Sequence, residues 1–117
     1  MLQKSIAGIS FIGGDVPGFY GDPVKKDEPF IETKEEYTYV PKGTTKKVIG
    51  ERIVKKPNWD KELIKEWYRL GAFMPFFRAH AHLDSYRREP WCFSDDVLES
   101  VKDTIQLRYK LLLYLYT

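Results

Sequence analysis

The sequence has one cysteine, Cys92, and two histidines, His80 and His82. A single cysteine excludes an internal disulfide, and two histidines offer little to a histidine-rich metal centre. Long apolar runs are missing too: none approaches the ~20 residues that a membrane-spanning helix needs, so no membrane span is expected. The opening "MLQKSIAGISFIGG" carries a lone Lys4 and a short apolar run broken by Gly8, Ser10 and the Gly13-Gly14 pair. That pattern suits a strand entering a loop and not a secretory leader. Nor is there a strong charge of one sign. The formal net charge is +2, and the basic excess sits between Val24 and Asn58, which is net +3 while the remainder is net −1. This lysine-rich stretch mixes signs and lacks a helical amphipathic period, so it reads as a solvated surface, and no nucleic-acid partner is expected.

What remains is the composition of a soluble globular chain, long enough at 117 residues for one ordinary domain and too short for two. Ile6 to Asp15 is β-rich and ends in "GGDVPGFYGDP", where four glycines and two prolines force a loop. On that strand Ile9, Phe11, Gly13 and Asp15 share a face, with Asp15 at the C-terminal end. In the lysine-rich stretch, Tyr37 and Tyr39, then Val48, Ile49, Ile53 and Val54, flank "PKGTT" and predict a hairpin or two short strands. Asn58 or Asp60 can cap a helix in which Leu63, Ile64, Trp67 and Leu70 recur at helical spacing, with Gly71 as its stop. "AFMPFFRAHAH" then reads as a strand with Phe76, Arg78, His80 and His82 on one face and Phe77, Ala79 and Ala81 on the other. In the following polar loop, Arg87 and Arg88 are expected to pair with local acids or with the helix region. Ser94 caps a last helix, with Asp95 and Asp96 in its first turn and an apolar stripe through Val97, Leu98, Val101, Ile105, Tyr109 and Leu112.

The order strand, helix, strand, helix is the rhythm of a parallel sheet covered by helices, in which ligands bind at the C-terminal strand ends. Asp15, Arg78 and His80 all fall at such ends. Two parallel strands leave a sheet's edges open, and the closing "KLLLYLYT" is apolar all round, so the architecture reads as a piece of something larger. The chemistry has more than one reading at this point. His80 and His82 in an H-x-H pair, with Asp84, could begin a zinc site, although a third histidine is lacking. Asp15 could bind a ligand or simply cap its own loop. It cannot alone perform glycosidic hydrolysis, which needs two carboxylates at a defined separation.

"GISFIGGDVPGFYGDP" resembles the seventh strand and loop of the catalytic barrel of glycoside hydrolase family 31, whose usual form is G-x-D-V/I-x-G-F. "ELIKEWYRLGAFMPFFRAHAHLDSYRREPW" resembles the following helix, eighth strand and loop. The R-A-H-A-H and R-R-E-P-W forms are similar to the glucosidase II-type, neutral α-glucosidase branch of that family. The resemblance covers residues 1 to 23 and about 59 to 117. It implies an α/β fold over residues 1–117: a partial (β/α)8 TIM barrel, its last two strand-helix units, interrupted by a lysine-rich insertion at 24–58. The insertion could fold as a β-hairpin flap, shape access for a large glycan or be retained non-coding sequence. It implies that Asp15 hydrogen-bonds the sugar in the cleavage subsite, that Arg78 and His80 contact the same sugar, and that Phe19 borders the neighbouring subsite. His82 and Asp84 belong to this form of the motif without an implied contact. The site so implied is a sugar pocket with no metal and no cofactor.

The family's nucleophile lies in a W-x-D-M-N-E-like motif and its acid/base in a G-D-N-like motif. Neither occurs here. The resemblance therefore implies a fragment of an α-glucosidase that trims α-linked glucose from N-linked glycans in the endoplasmic reticulum lumen. Its partners would be an α-glucoside or N-glycan substrate and, through the parent enzyme, a non-catalytic β subunit. The chain alone is expected to be inactive. Beside this stand a truncated non-enzymatic paralogue or gene-model fragment that at most binds sugar or a partner, and the metal-dependent hydrolase using His80 and His82.

Overall fold

A computed structural model of the chain describes residues 11–116. The expected strand face at Ile9, and the start of that strand from Ile6, lie outside the described residues. By its internal contacts the chain divides into two units, one made of the segment up to Pro23 together with Asp60 onward, the other Val24–Trp59.

In the first unit, β1 (Gly13–Val16) pairs in parallel with β4 (Phe76–Ala79), placing Gly13 opposite Phe76, Asp15 opposite Arg78 and Val16 opposite Ala79. A parallel pair needs a long crossover, and α1 (Lys61–Ala72) lies on that connection. Asp60 starts α1 by accepting the Leu63 N–H at 3.2 Å, with Glu62 in the first turn and Arg69 in the last, as the helix dipole favours. Of the two expected caps, Asp60 acts. Asn58 belongs to the other unit, where its side chain donates to the Glu28 carbonyl.

The buried face of α1 is Ile64, Tyr68, Gly71 and Ala72, an i, i+4, i+7, i+8 stripe. This corrects the expected stripe in part: Ile64 is buried, whereas Leu63, Trp67 and Leu70 lie on the adjacent face and are exposed. Gly71 is also not a stop. It sits inside the last turn with an ordinary φ, and a Cβ there would lie 2.8 Å from Val16 Cγ2 and 2.9 Å from Phe77 Cε2. The glycine lets the helix touch the sheet.

After a 3₁₀ turn at Pro90–Cys92, α2 (Asp95–Lys110) buries Val97, Val101 and Thr104 and packs on α1. Ser94 occupies the N-cap position, yet its hydroxyl bonds the Asp96 carboxylate at 2.5 Å and no backbone N–H. Tyr109, expected in the apolar stripe, is exposed. The core is small: Val16, Ile64, Tyr68, Ala72, Val97 and Val101. Each fully buried aliphatic side chain among them is worth about 1.5–3 kcal/mol. Near the end of α2, Arg108 donates to the carbonyls of Ala72 (2.9 Å), Met74 (2.5 Å) and Pro75 (2.9 Å), fixing the turn from α1 into β4. The short α3 (Leu112–Tyr116) follows, with Leu113 and Tyr114 exposed. No helix among the described residues is long and apolar enough to cross a membrane.

In the second unit, β2 (Phe30–Tyr39) and β3 (Val48–Pro57) form an antiparallel ladder in register from Phe30 opposite Pro57 to Tyr39 opposite Val48. Gly43, with φ +82°, supplies the left-handed residue of the turn that Thr44 closes back onto the Pro41 carbonyl. Tyr37 lies across Gly50, whose missing side chain leaves room for the ring. Glu35 is paired with Lys56 and Arg52 on the same face. That pairing holds the Glu35 carboxyl below its usual range.

Candidate functional site

The parallel register alone brings two of the four expected side chains together. Asp15 and Arg78 are cross-strand partners near the C-terminal ends of β1 and β4, and Arg78 Nε donates to Asp15 Oδ1 at 2.6 Å. Asp15 is 19% exposed and Arg78 50% exposed at the side chain, so the carboxylate is mostly sheltered while the guanidinium stays reachable. The Arg78 guanidinium also lies 5.1 Å from the Phe76 ring centre.

The other two expected residues meet on the loops beyond. Phe19 stacks on His80, with ring centres 5.7 Å apart and planes 28° apart. The structure corrects the strand on which His80 and His82 were expected to share a face with Arg78. β4 ends at Ala79, so both histidines lie in the segment that follows. Pleat alternation therefore does not orient them. The loop after β1 does: the Phe19 carbonyl accepts the His82 N–H at 2.9 Å. Two neighbours absent from the expected contacts, Tyr20 and His82, join the cluster. Tyr20 packs edge-on to Phe19 at 4.8 Å and lies 5.4 Å from the His82 ring. The Phe19-Tyr20 doublet between Gly18 and Gly21 is the sequence signal that could have added Tyr20, since neighbouring aromatics in so short a loop are apt to share one cluster.

The surrounding loops are pinned by charge. Arg87 donates to Glu89 at 2.8 Å, and Arg88 is buried against Asp22 and the Gly21 carbonyl. The Arg87 guanidinium, helped by the Glu89 backbone N–H, holds the Glu89 carboxyl down to about 2. Burial pushes the Tyr68 phenol well above its usual range and lowers the Arg88 guanidinium. A separate cavity of about 410 Å³, lined by Phe77, Ile105, Arg108, Tyr109 and Leu112, shares none of the four expected site residues.

Chemically, Asp15 can accept hydrogen bonds from hydroxyls and Arg78 can donate them. His80 can do both, and the Phe19 ring offers a flat apolar face. Groups of these kinds can together hold a polyhydroxylated ring. The four residues contribute one carboxylate, whereas two flanking carboxylates are the usual requirement for glycosidic cleavage. Among the described residues no group of three or more His, Cys, Asp and Glu side chains is gathered to hold a metal. The His82 ring instead accepts the Asp84 backbone N–H at 3.3 Å through Nδ1.

The whole of residues 1–117 matches the profile described as the glycosyl hydrolases family 31 TIM-barrel domain. The chain belongs to glycoside hydrolase family 31. It is 36% identical over 117 residues to neutral alpha-glucosidase AB of Dictyostelium discoideum, and 38% identical over 117 residues to glucosidase 2 subunit alpha of Saccharomyces cerevisiae. These matches cover 100% of this chain but only 9% and 8% of the relatives. Among solved structures, the crystal structure of glucosidase II alpha subunit with Glc1Man2 bound is similar, with a TM-score of 0.60 at 33% identity. The overlap takes in 95% of this family 31 chain and 8% of that one. The chain thus spans less than a tenth of the length of the relatives it matches, and its fold is part of a TIM barrel.

Proposed function

We propose that this chain is the sugar-holding corner of an α-glucosidase barrel: the last two strand-helix units of a (β/α)8 domain, with Val24–Asn58 as an insertion. The observation that carries this is the pairing of Asp15 with Arg78 at the C-terminal strand ends, beside the Phe19–His80 stack. In a barrel of this kind the C-terminal face holds the active site. There Asp15 and His80 take hydroxyls of a terminal α-linked glucose, Arg78 holds the Asp15 carboxylate in place and donates to the same sugar, and Phe19 borders the next subsite. The nucleophile and the acid/base come from barrel strands other than these two, so this stretch binds without cleaving. The exposed apolar side of α1, with Leu63, Trp67 and Leu70, is consistent with a face that further barrel elements cover.

The likeness to glucosidase II α subunits supports a finer reading. The substrate is a glucosylated N-linked glycan, the compartment is the endoplasmic reticulum lumen, and a non-catalytic β subunit accompanies the parent enzyme. The test is a turnover assay of the purified chain on a nitrophenyl α-glucoside beside a binding titration with methyl α-glucoside. Saturable binding that Asp15→Asn weakens at least tenfold, with no turnover, is expected. Clear turnover, or binding that ignores Asp15, would overturn the proposal.

A further inference from the structure

Both loops that carry the candidate aromatic residues converge on one buried guanidinium. Arg88 is only 3% exposed, and its Nη2 donates to the Gly21 carbonyl and, at 3.4 Å, to Asp22 Oδ1. The same carboxylate oxygen accepts the Tyr86 N–H at 3.0 Å, which binds the loop after β1 to the loop after β4 a second time. From below, the Tyr68 hydroxyl of α1 donates to the Arg88 carbonyl at 2.6 Å. Arg88 therefore joins three segments: Phe19 to Pro23, Leu83 to Glu89, and the helix beneath.

Packing alone does not select an arginine here. Arg88 Nε is buried with no hydrogen-bond partner among the described residues, and burial disfavours the guanidinium's charge. A methionine fills a comparable volume without that cost, and the Asp22 carboxylate it would leave behind is 23% exposed and keeps contact with water. What methionine cannot do is hold the Gly21 carbonyl and the Asp22 carboxylate at one point.

We propose that Arg88 is a positioning residue that locks the Gly18–Pro23 loop to the Leu83–Glu89 loop and thereby fixes the Phe19–His80 stack as one wall of the sugar site. The proposal rests on the sugar-binding reading above. It places Arg88 one step behind the residues that touch sugar.

The test uses the full chain and three readouts: the thermal unfolding transition, the Phe19–His80 ring contacts seen by nuclear Overhauser effects, and the affinity for methyl α-glucoside. Arg88→Met is expected to unfold within a few degrees of wild type, to lose the ring contacts, and to bind the glucoside at least tenfold more weakly. Arg88→Lys, which can reach one acceptor at a time, is expected to restore part of both. Unchanged ring contacts and affinity in Arg88→Met would overturn the proposal. If Arg88→Met does not fold, Arg88→Lys decides, because it keeps the charge but cannot hold both acceptors at once. Partial loss of the ring contacts supports the lock, and intact contacts refute it. Should the wild type bind no glucoside, the sugar-binding reading fails, while the ring contacts in the variants still decide whether Arg88 positions the loops.

Discussion

Replacing Gly71 by alanine adds one methyl group where α1 meets the sheet. The new Cβ would stand 2.8 Å from Val16 Cγ2 and 2.9 Å from Phe77 Cε2, well inside ordinary contact. Two effects oppose each other. Alanine gains about 0.8–1 kcal/mol of helix propensity over glycine, since Gly71 is within the helix with no left-handed φ to lose. Overpacking a tight contact costs about 1–3 kcal/mol, because neither Val16 nor the Phe77 ring can move away without disturbing the core. Overpacking wins, and Gly71→Ala should destabilise by about 1 kcal/mol. The sign should depend on residue 16. In a Val16→Ala background one of the two clashing groups is gone, and the same change should become neutral or stabilising, a coupling of about 1 kcal/mol. Urea unfolding of the wild type, both single variants and the double variant, followed by circular dichroism, measures the cycle. A glycine acting as a helix stop would instead cost the same in both backgrounds. Strict additivity, or a stabilising Gly71→Ala in the wild type, would refute the packing account.

Asp60→Ala removes the side chain that accepts the Leu63 N–H and should cost about 1 kcal/mol, read as a lower urea midpoint at unchanged slope. Glu89, held at about 2 against an ordinary value near ~4.3, has its carboxyl depressed by folding. Its contribution is therefore complete above the ordinary value and fades as pH falls toward 2. Arg87→Gln should make the loss of stability between about pH 4.3 and 2 shallower in an acid titration of the urea midpoint, and an unchanged limb would contradict it. Arg78→Gln should cost at most about 1 kcal/mol of stability, because half its side chain is solvated, yet weaken glucoside affinity at least fivefold in a calorimetric titration.

Much of the architecture is legible in residue order. Asp60, with apolar residues at helical spacing behind it, announces α1, and the acidic pair Asp95–Asp96 announces α2. The choice of buried face is less so, for a physical reason. Leu63, Trp67 and Leu70 look like a core stripe, but Tyr68, Gly71 and Ala72 are narrower or reach a partner, and that side fits against β1 and Phe77. Periodicity finds a helix without saying which neighbour it packs on. The charged run Phe30–Glu36 carries little strand signal, yet it extends β2 because every residue of the ladder is at least partly solvated and charge costs nothing there. At the candidate site, Asp15 and Arg78 are visible as strand-end residues, but their pairing needs the parallel register. The end of β4 at Ala79 needs the Phe19–His82 link, a contact 63 residues apart in sequence that no local pattern encodes.

The most direct test of the sugar-holding corner is a titration of the isotope-labelled chain with methyl α-glucoside, followed residue by residue by NMR. The account predicts saturable shifts at Asp15, Phe19, Arg78 and His80. No shifts at these four residues at saturating sugar, or shifts confined to the Phe77–Ile105–Arg108 cavity, would contradict it.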